Sequence, residues 1–134
     1  MKQELIDLAK YRLEKAKNTL LDAKKYIEDA TLVSVVNRIY YAMFYAVSAL
    51  LITKELFSSK HSGILSLFSR EIINKGLMER QYGKFYSEMF NNRQEGDYKD
   101  FTEFEKKDVE DWLKMAEKFI SEIEDLTLAI IEKK

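Results

Sequence analysis

Three short stretches carry the residue types that could act on a bound molecule. In Asn92-Arg93-Gln94-Glu95-Gly96-Asp97-Tyr98, the Arg93 guanidinium offers parallel N–H donors to a phosphate or carboxylate. Asp97 offers Arg93 a partner within the same stretch, so a local ion pair that pins a turn is the equal alternative. In Lys60-His61-Ser62-Gly63 stands the chain's only histidine. In a first helical turn, free backbone N–H groups and the helix dipole keep an imidazole neutral, able to take a proton near neutral pH. With Lys60 beside it, His61 could hold a phosphate oxygen; the plainer alternative is a satisfied surface or capping residue. The third stretch is Ser34, Arg38, Tyr41, Tyr45 and Ser48, in steps of four and three, which puts a charge and hydroxyls on one stripe of a helix.

Other chemistries are excluded by what the chain lacks. There is no cysteine, so disulfides, thiolate catalysis and Cys-ligated zinc are out. No Ser-His-Asp set and no glycine-rich phosphate loop is visible. A carboxylate di-metal site needs Glu-x-x-His pairs, which one histidine cannot supply. The reading therefore carries no metal and no cofactor.

The elements that must position these residues are helices. The chain of 134 residues has no proline and four glycines, which favours long uninterrupted helices in a single domain, 1–134. Residues 3–30 repeat Ile6, Ala9, Leu13, Ala16, Leu20, Ala23, Ile27 and Ala30 at helical period. They predict a rod of roughly 42 Å. A second helix, about 31–54, is apolar on nearly all sides and must be enclosed by protein. Two of its stripes read as pure core: Leu32, Val36, Ile39, Met43 and Leu50, and beside them Tyr40, Phe44, Val47 and Leu51. Ser58 or Ser59 can cap a third helix that Gly76 ends. A fourth is predicted over about 78–91, then a polar turn over 91–100. A capping box of Thr102 and Glu105 opens a last helix over about 103–132. The expected architecture is all-α, an up-and-down bundle of four to five helices.

Charge and hydropathy narrow the setting. The formal net charge of −1 divides into about +5 over residues 1–94 and −6 over 95–134, so the chain is not built to coat nucleic acid. Residues 1–29 lack the apolar core of a signal peptide. The apolar run 32–52 is interrupted by Asn37 and Arg38 and carries Tyr40, Tyr41, Tyr45 and Ser48, so it reads as a core helix rather than a membrane span. A cytoplasmic protein is expected. The second helix is apolar on more sides than a small bundle covers, which points to a homodimer.

The order NRIYYAMFYAVSALL, then KHSGILSLF, then NNRQEGDY, in an all-helical chain of this length, resembles the HEPN domain. It is most similar to the small stand-alone prokaryotic members found beside a minimal nucleotidyltransferase, and the likeness spans roughly residues 5–125. The resemblance implies a helical bundle that dimerises. It implies either a metal-independent ribonuclease toxin, with the nucleotidyltransferase as antitoxin, or a nucleotide-binding protein. Nuclease members use an arginine followed after four to six residues by a histidine. Arg93 fits the arginine, but the chain then reads Asp97-Tyr98-Lys99-Asp100, with no histidine there. Tyr98, with a reference pKa of about 10, is a poor base at neutral pH. His61 matches a different family position, just after the connector that follows the second helix.

Three functions follow. In the first, a polar cleft lined by the Arg38 stripe binds a nucleotide or polyphosphate, or docks the nucleotidyltransferase, without chemistry of its own; Arg38, Tyr41, Tyr45, Lys60, His61, Arg93 and Asp97 form the ligand-binding set. In the second, the protein cleaves single-stranded RNA, with Arg93 and Arg38 on the scissile phosphate, His61 or Tyr98 moving the proton, and Tyr41, Tyr45 and Tyr98 stacking bases. In the third, a structural dimer uses these polar residues only to fix packing.

Overall fold

The apolar seams decide which helices meet. A computed structural model describes residues 1–98 and 103–133, with side chains at 1–96 and 103–133. Among the described residues five α-helices follow one another: α1 (Gln3–Tyr26), α2 (Leu32–Thr53), α3 (His61–Phe68), α4 (Arg80–Tyr98) and α5 (Lys106–Glu132). No strand occurs among the described residues. Helix α1 buries Ala9, Leu13, Ala16, Leu20 and Ala23 from the predicted seam. It stops at Tyr26 instead of reaching Ala30, because the Tyr26 carbonyl accepts from Asp29 and Ala30 in a closing turn. Thr31 then caps α2 by accepting from the Ser34 N–H, 3.2 Å away.

Helix α2 is the axis of the bundle, packed by α1, α3, α4 and α5. By length and composition it could cross a membrane, yet 72% of its apolar window is buried inside the fold. Its apolar girth thus finds most of its partners within the chain. Of the two stripes read as core, most members are buried, but Leu32 and Phe44 are half-buried.

The connector into α3 differs from expectation. Lys60, not Ser58 or Ser59, stands at the N-cap. Ser58 supports it from outside the helix, its Oγ accepting from the Lys60 N–H at 3.2 Å. After Phe68 the helix widens into a π-helical turn, Ser69–Ile73. Gly76 closes it at φ 75°, with Leu77 N–H to Ile72 O and Gly76 N–H to Ile73 O, both 3.0 Å, in the Schellman pattern.

The larger correction concerns residues 91–98. They form no turn; they extend α4 by two turns to Tyr98. Gly96 explains how. A Cβ there would stand 3.2 Å from Val33 Cγ1 and 3.4 Å from Phe104, so the missing side chain lets the end of α4 press on the start of α2. Tertiary packing overrides the weak helix propensity of Asn, Gly and Asp. Helix α5 has Glu105 at its N-cap; Thr102, its proposed capping-box partner, lies outside the described residues.

Candidate functional site

The extension of α4 carries Arg93 onto the aromatic face of α2. Arg93 Nη2 donates to the Tyr41 hydroxyl at 3.2 Å. The guanidinium carbon lies 5.5 Å from the Tyr40 ring centroid and 5.4 Å from that of Tyr41. These contacts hold the guanidinium against the two rings, whose negative faces attract a cation. His61, at the first position of α3, reaches the same tyrosines from the other side. Its Nδ1 lies 2.9 Å from the Tyr40 hydroxyl. Its ring packs on Phe44 at 4.4 Å and edge-on to Tyr41 at 5.5 Å.

The fold therefore joins His61 and Arg93 through two adjacent tyrosines. Their charges are coupled: burial first, and then the Arg93 charge, hold the His61 pKa below its usual value. The imidazole is neutral at neutral pH. Burial pushes the Tyr40 hydroxyl up to about 12, against the opposing pull of Tyr86 and Arg93, so Tyr40 keeps its proton. The Tyr40–His61 bond runs with the tautomer. Tyr40 donating leaves the imidazole proton on Nε2; Nδ1 donating leaves Nε2 a bare base.

Behind Tyr40 lies Tyr86, its ring stacked at 6.0 Å and 4°. The Tyr86 hydroxyl is fully buried and meets no partner at hydrogen-bonding geometry. It is still close enough to Tyr40 for each to shift the other's acidity. Tyr86 also stacks on Phe119 of α5 at 5.8 Å, so the site rests on the main core.

A groove of about 570 Å³ runs beside this cluster, lined by Val33, Ser34, Asn37, Arg38, Tyr41 and Tyr45. Four of the five stripe residues are there, and Arg38 is exposed at its edge. Ser48 is not: it is buried and faces a second, smaller hollow with Leu8, Phe44 and Phe57. Lys60 is exposed beside His61. The side chains of Asp97 and Tyr98, the expected partner of Arg93 and the alternative proton carrier, lie outside the described residues.

Sequence reasoning missed Tyr40, Phe44 and Tyr86 as neighbours of the site. A signal was available for Tyr40: a tyrosine on a core stripe must still place its hydroxyl, and the stripe beside it was polar. Lys15 was also missed. Its Nζ sits 4.6 Å from the Tyr45 ring centroid, and nothing on the solvated side of α1 marks it.

With this geometry in view, residues 9–126 match the HEPN domain model. The chain is 46% identical over 125 residues to a Thermotoga maritima protein named "UPF0332 protein", covering 93% of this chain and 92% of the relative. Two Methanocaldococcus jannaschii proteins are also similar. One, named "Putative toxin MJ0142", is 37% identical over 73% of this chain and 67% of its own length. The other, "Putative toxin MJ0605", is 38% identical over 72% of this chain and 66% of its own length.

Proposed function

The chain belongs to the HEPN domain family, and we propose that its Arg93–Tyr41–Tyr40–His61 cluster binds a phosphate group of a nucleotide or of single-stranded RNA. The observation that carries the reading is the meeting of Arg93 and His61 on two tyrosines from separate parts of the chain. An incoming phosphate oxygen gains a charge-assisted bond from Arg93 and a hydrogen bond from an imidazole N–H when Tyr40 donates to Nδ1. Arg38 and Lys60, both exposed nearby on α2 and before α3, add field without fixed geometry. In this reading the protein is the non-catalytic member of a pair with a minimal nucleotidyltransferase and works as a homodimer in the cytoplasm.

A second reading is favoured by the same juxtaposition and by the toxin names of the two archaeal relatives. It is metal-independent RNA cleavage. The ribose 2′-oxygen attacks the adjacent phosphorus, its proton passes to His61 Nε2 in the tautomer that leaves that nitrogen bare, and the P–O5′ bond breaks as the departing 5′-oxygen takes a proton from solvent water. Arg93 stabilises the extra charge on the phosphorane oxygens.

End-labelled single-stranded RNA in excess chelator separates the two. Binding without cleavage, lost in Arg93→Ala, is the expected result. Cleavage abolished by Arg93→Ala or His61→Ala moves the assignment to a nuclease. RNA and nucleotide binding that both substitutions leave untouched defeats the site.

A further inference from the structure

We propose that Tyr45 is the seat of a nucleobase whose phosphate is held at Arg93, so that the groove takes a nucleotide lengthwise along α2. The inference rests on the phosphate reading above and adds the ligand's other half. Tyr45 is half-buried at the end of the groove away from the start of α2, one turn beyond Tyr41. The two rings lie 6.1 Å apart at 40°, and Arg93 bonds the hydroxyl of the nearer one. Arg93, from α4, thus reaches the groove wall at Tyr41, one turn of α2 before the Tyr45 ring. A bare polyphosphate would use only the arginine. A nucleotide uses arginine and ring, since every base has a π-face that stacks on a tyrosine. The groove's volume of about 570 Å³ is in the range of small-ligand sites.

Lys15 supplies the second observation. Its ammonium covers the Tyr45 ring from α1, and the residue is exposed. A solvent-facing cation–π contact is weaker than a base–aromatic stack, so a base replaces the ammonium with a net gain. The lysine stem is flexible, and the displaced charge remains beside a ligand that carries negative charge. Lys15 therefore shows that the Tyr45 ring already attracts a partner to its π-face.

The test titrates the full chain with AMP, with a six-residue oligoadenylate and with inorganic tripolyphosphate. In Tyr45→Leu, the base-bearing ligands are expected to bind about ten-fold more weakly, while tripolyphosphate is unchanged; Tyr45→Phe restores binding. Loss of AMP and oligonucleotide together assigns the seat to a free nucleotide. Loss of the oligonucleotide alone, with AMP binding neither protein, assigns it to a strand. Nucleotide affinity that ignores Tyr45→Leu, or an equal loss for tripolyphosphate, overturns the proposal. A second measurement needs no substitution: AMP should move the Tyr45 ring-proton resonances upfield, and tripolyphosphate should not. Equal movement by both also overturns it. If the unaltered protein binds neither AMP nor the oligonucleotide but binds tripolyphosphate through Arg93, the base seat falls and the phosphate site stands. If Arg93→Ala binds tripolyphosphate like the parent, the phosphate reading falls first.

Discussion

Two faces of this bundle hold cations in opposite ways. Between α1 and α5, Lys17 pairs with Glu124 and Lys24 with Glu117, flanking a groove floored by Leu20, Leu21 and Ile120. Against α2, Arg93 rests on Tyr40 and Tyr41, and Lys15 rests on Tyr45. A carboxylate neutralises its lysine and leaves little for an outside anion. A tyrosine face orients a cation by its quadrupole and adds no negative charge of its own. The first arrangement suits a surface that only needs solubility and modest cohesion. The second suits one that must receive negative charge.

The contrast can be broken most strongly at Arg93. Arg93→Ala should cost roughly 2 kcal/mol of phosphate affinity, the scale of a charged hydrogen bond, with little change in melting temperature. Isothermal titration and a thermal melt on the same sample check both halves. A melt that drops sharply would mean the arginine is structural.

A subtler change converts one face into the other. Ser34→Glu places a carboxylate one turn from Arg38 and completes a capping box with Thr31. The expectation is roughly ten-fold weaker tripolyphosphate binding with stability kept or raised. Unchanged binding would show that the field at Arg38 does not matter.

Next in size is Tyr40→Phe. It removes the hydroxyl from His61 Nδ1 and should cost about 1 kcal/mol of stability by urea denaturation. A companion measurement is the pH dependence of stability. The folded His61 pKa is lowered, so the unfolded chain takes up the proton first as pH falls below about 6.5. Stability should fall through that window toward the folded pKa, and His61→Asn should flatten this part of the slope. A slope that survives the substitution would assign it to other groups.

The smallest effect belongs to the α1–α5 face. Both members of the Lys24–Glu117 pair are substantially exposed, so Lys24→Ala should cost well under about 1 kcal/mol. It should leave phosphate affinity unchanged, and a loss of affinity there would erase the distinction between the faces.

Much of this was legible in the sequence, for reasons that can be named. The seam of α1 and the girth of α2 are written in helical period, and burial enforces them directly. The groove stripe from Ser34 to Tyr45 followed from the same counting. The continuation of α4 to Tyr98 was not legible, because local propensity argues against it and Gly96 earns its place only through contact with Val33 and Phe104. The meeting of His61 with Tyr40, and of Arg93 with Tyr41, joins residues 21 and 52 positions apart. No local pattern encodes such a pairing. The sequence offered the right residue types and left their distances open.

Gly63 shows where that dependence leads. A methyl group at this position would collide with the Ser58 hydroxyl and β-carbon. That hydroxyl supports the Lys60 N–H at the N-cap, directly before His61. The imidazole is thus aimed by an absence: a hydrogen where any other residue has carbon. In a saturation screen, Gly63 should score with the functional residues although it touches no ligand. A map of the site drawn only from polar side chains would omit one of its controlling positions.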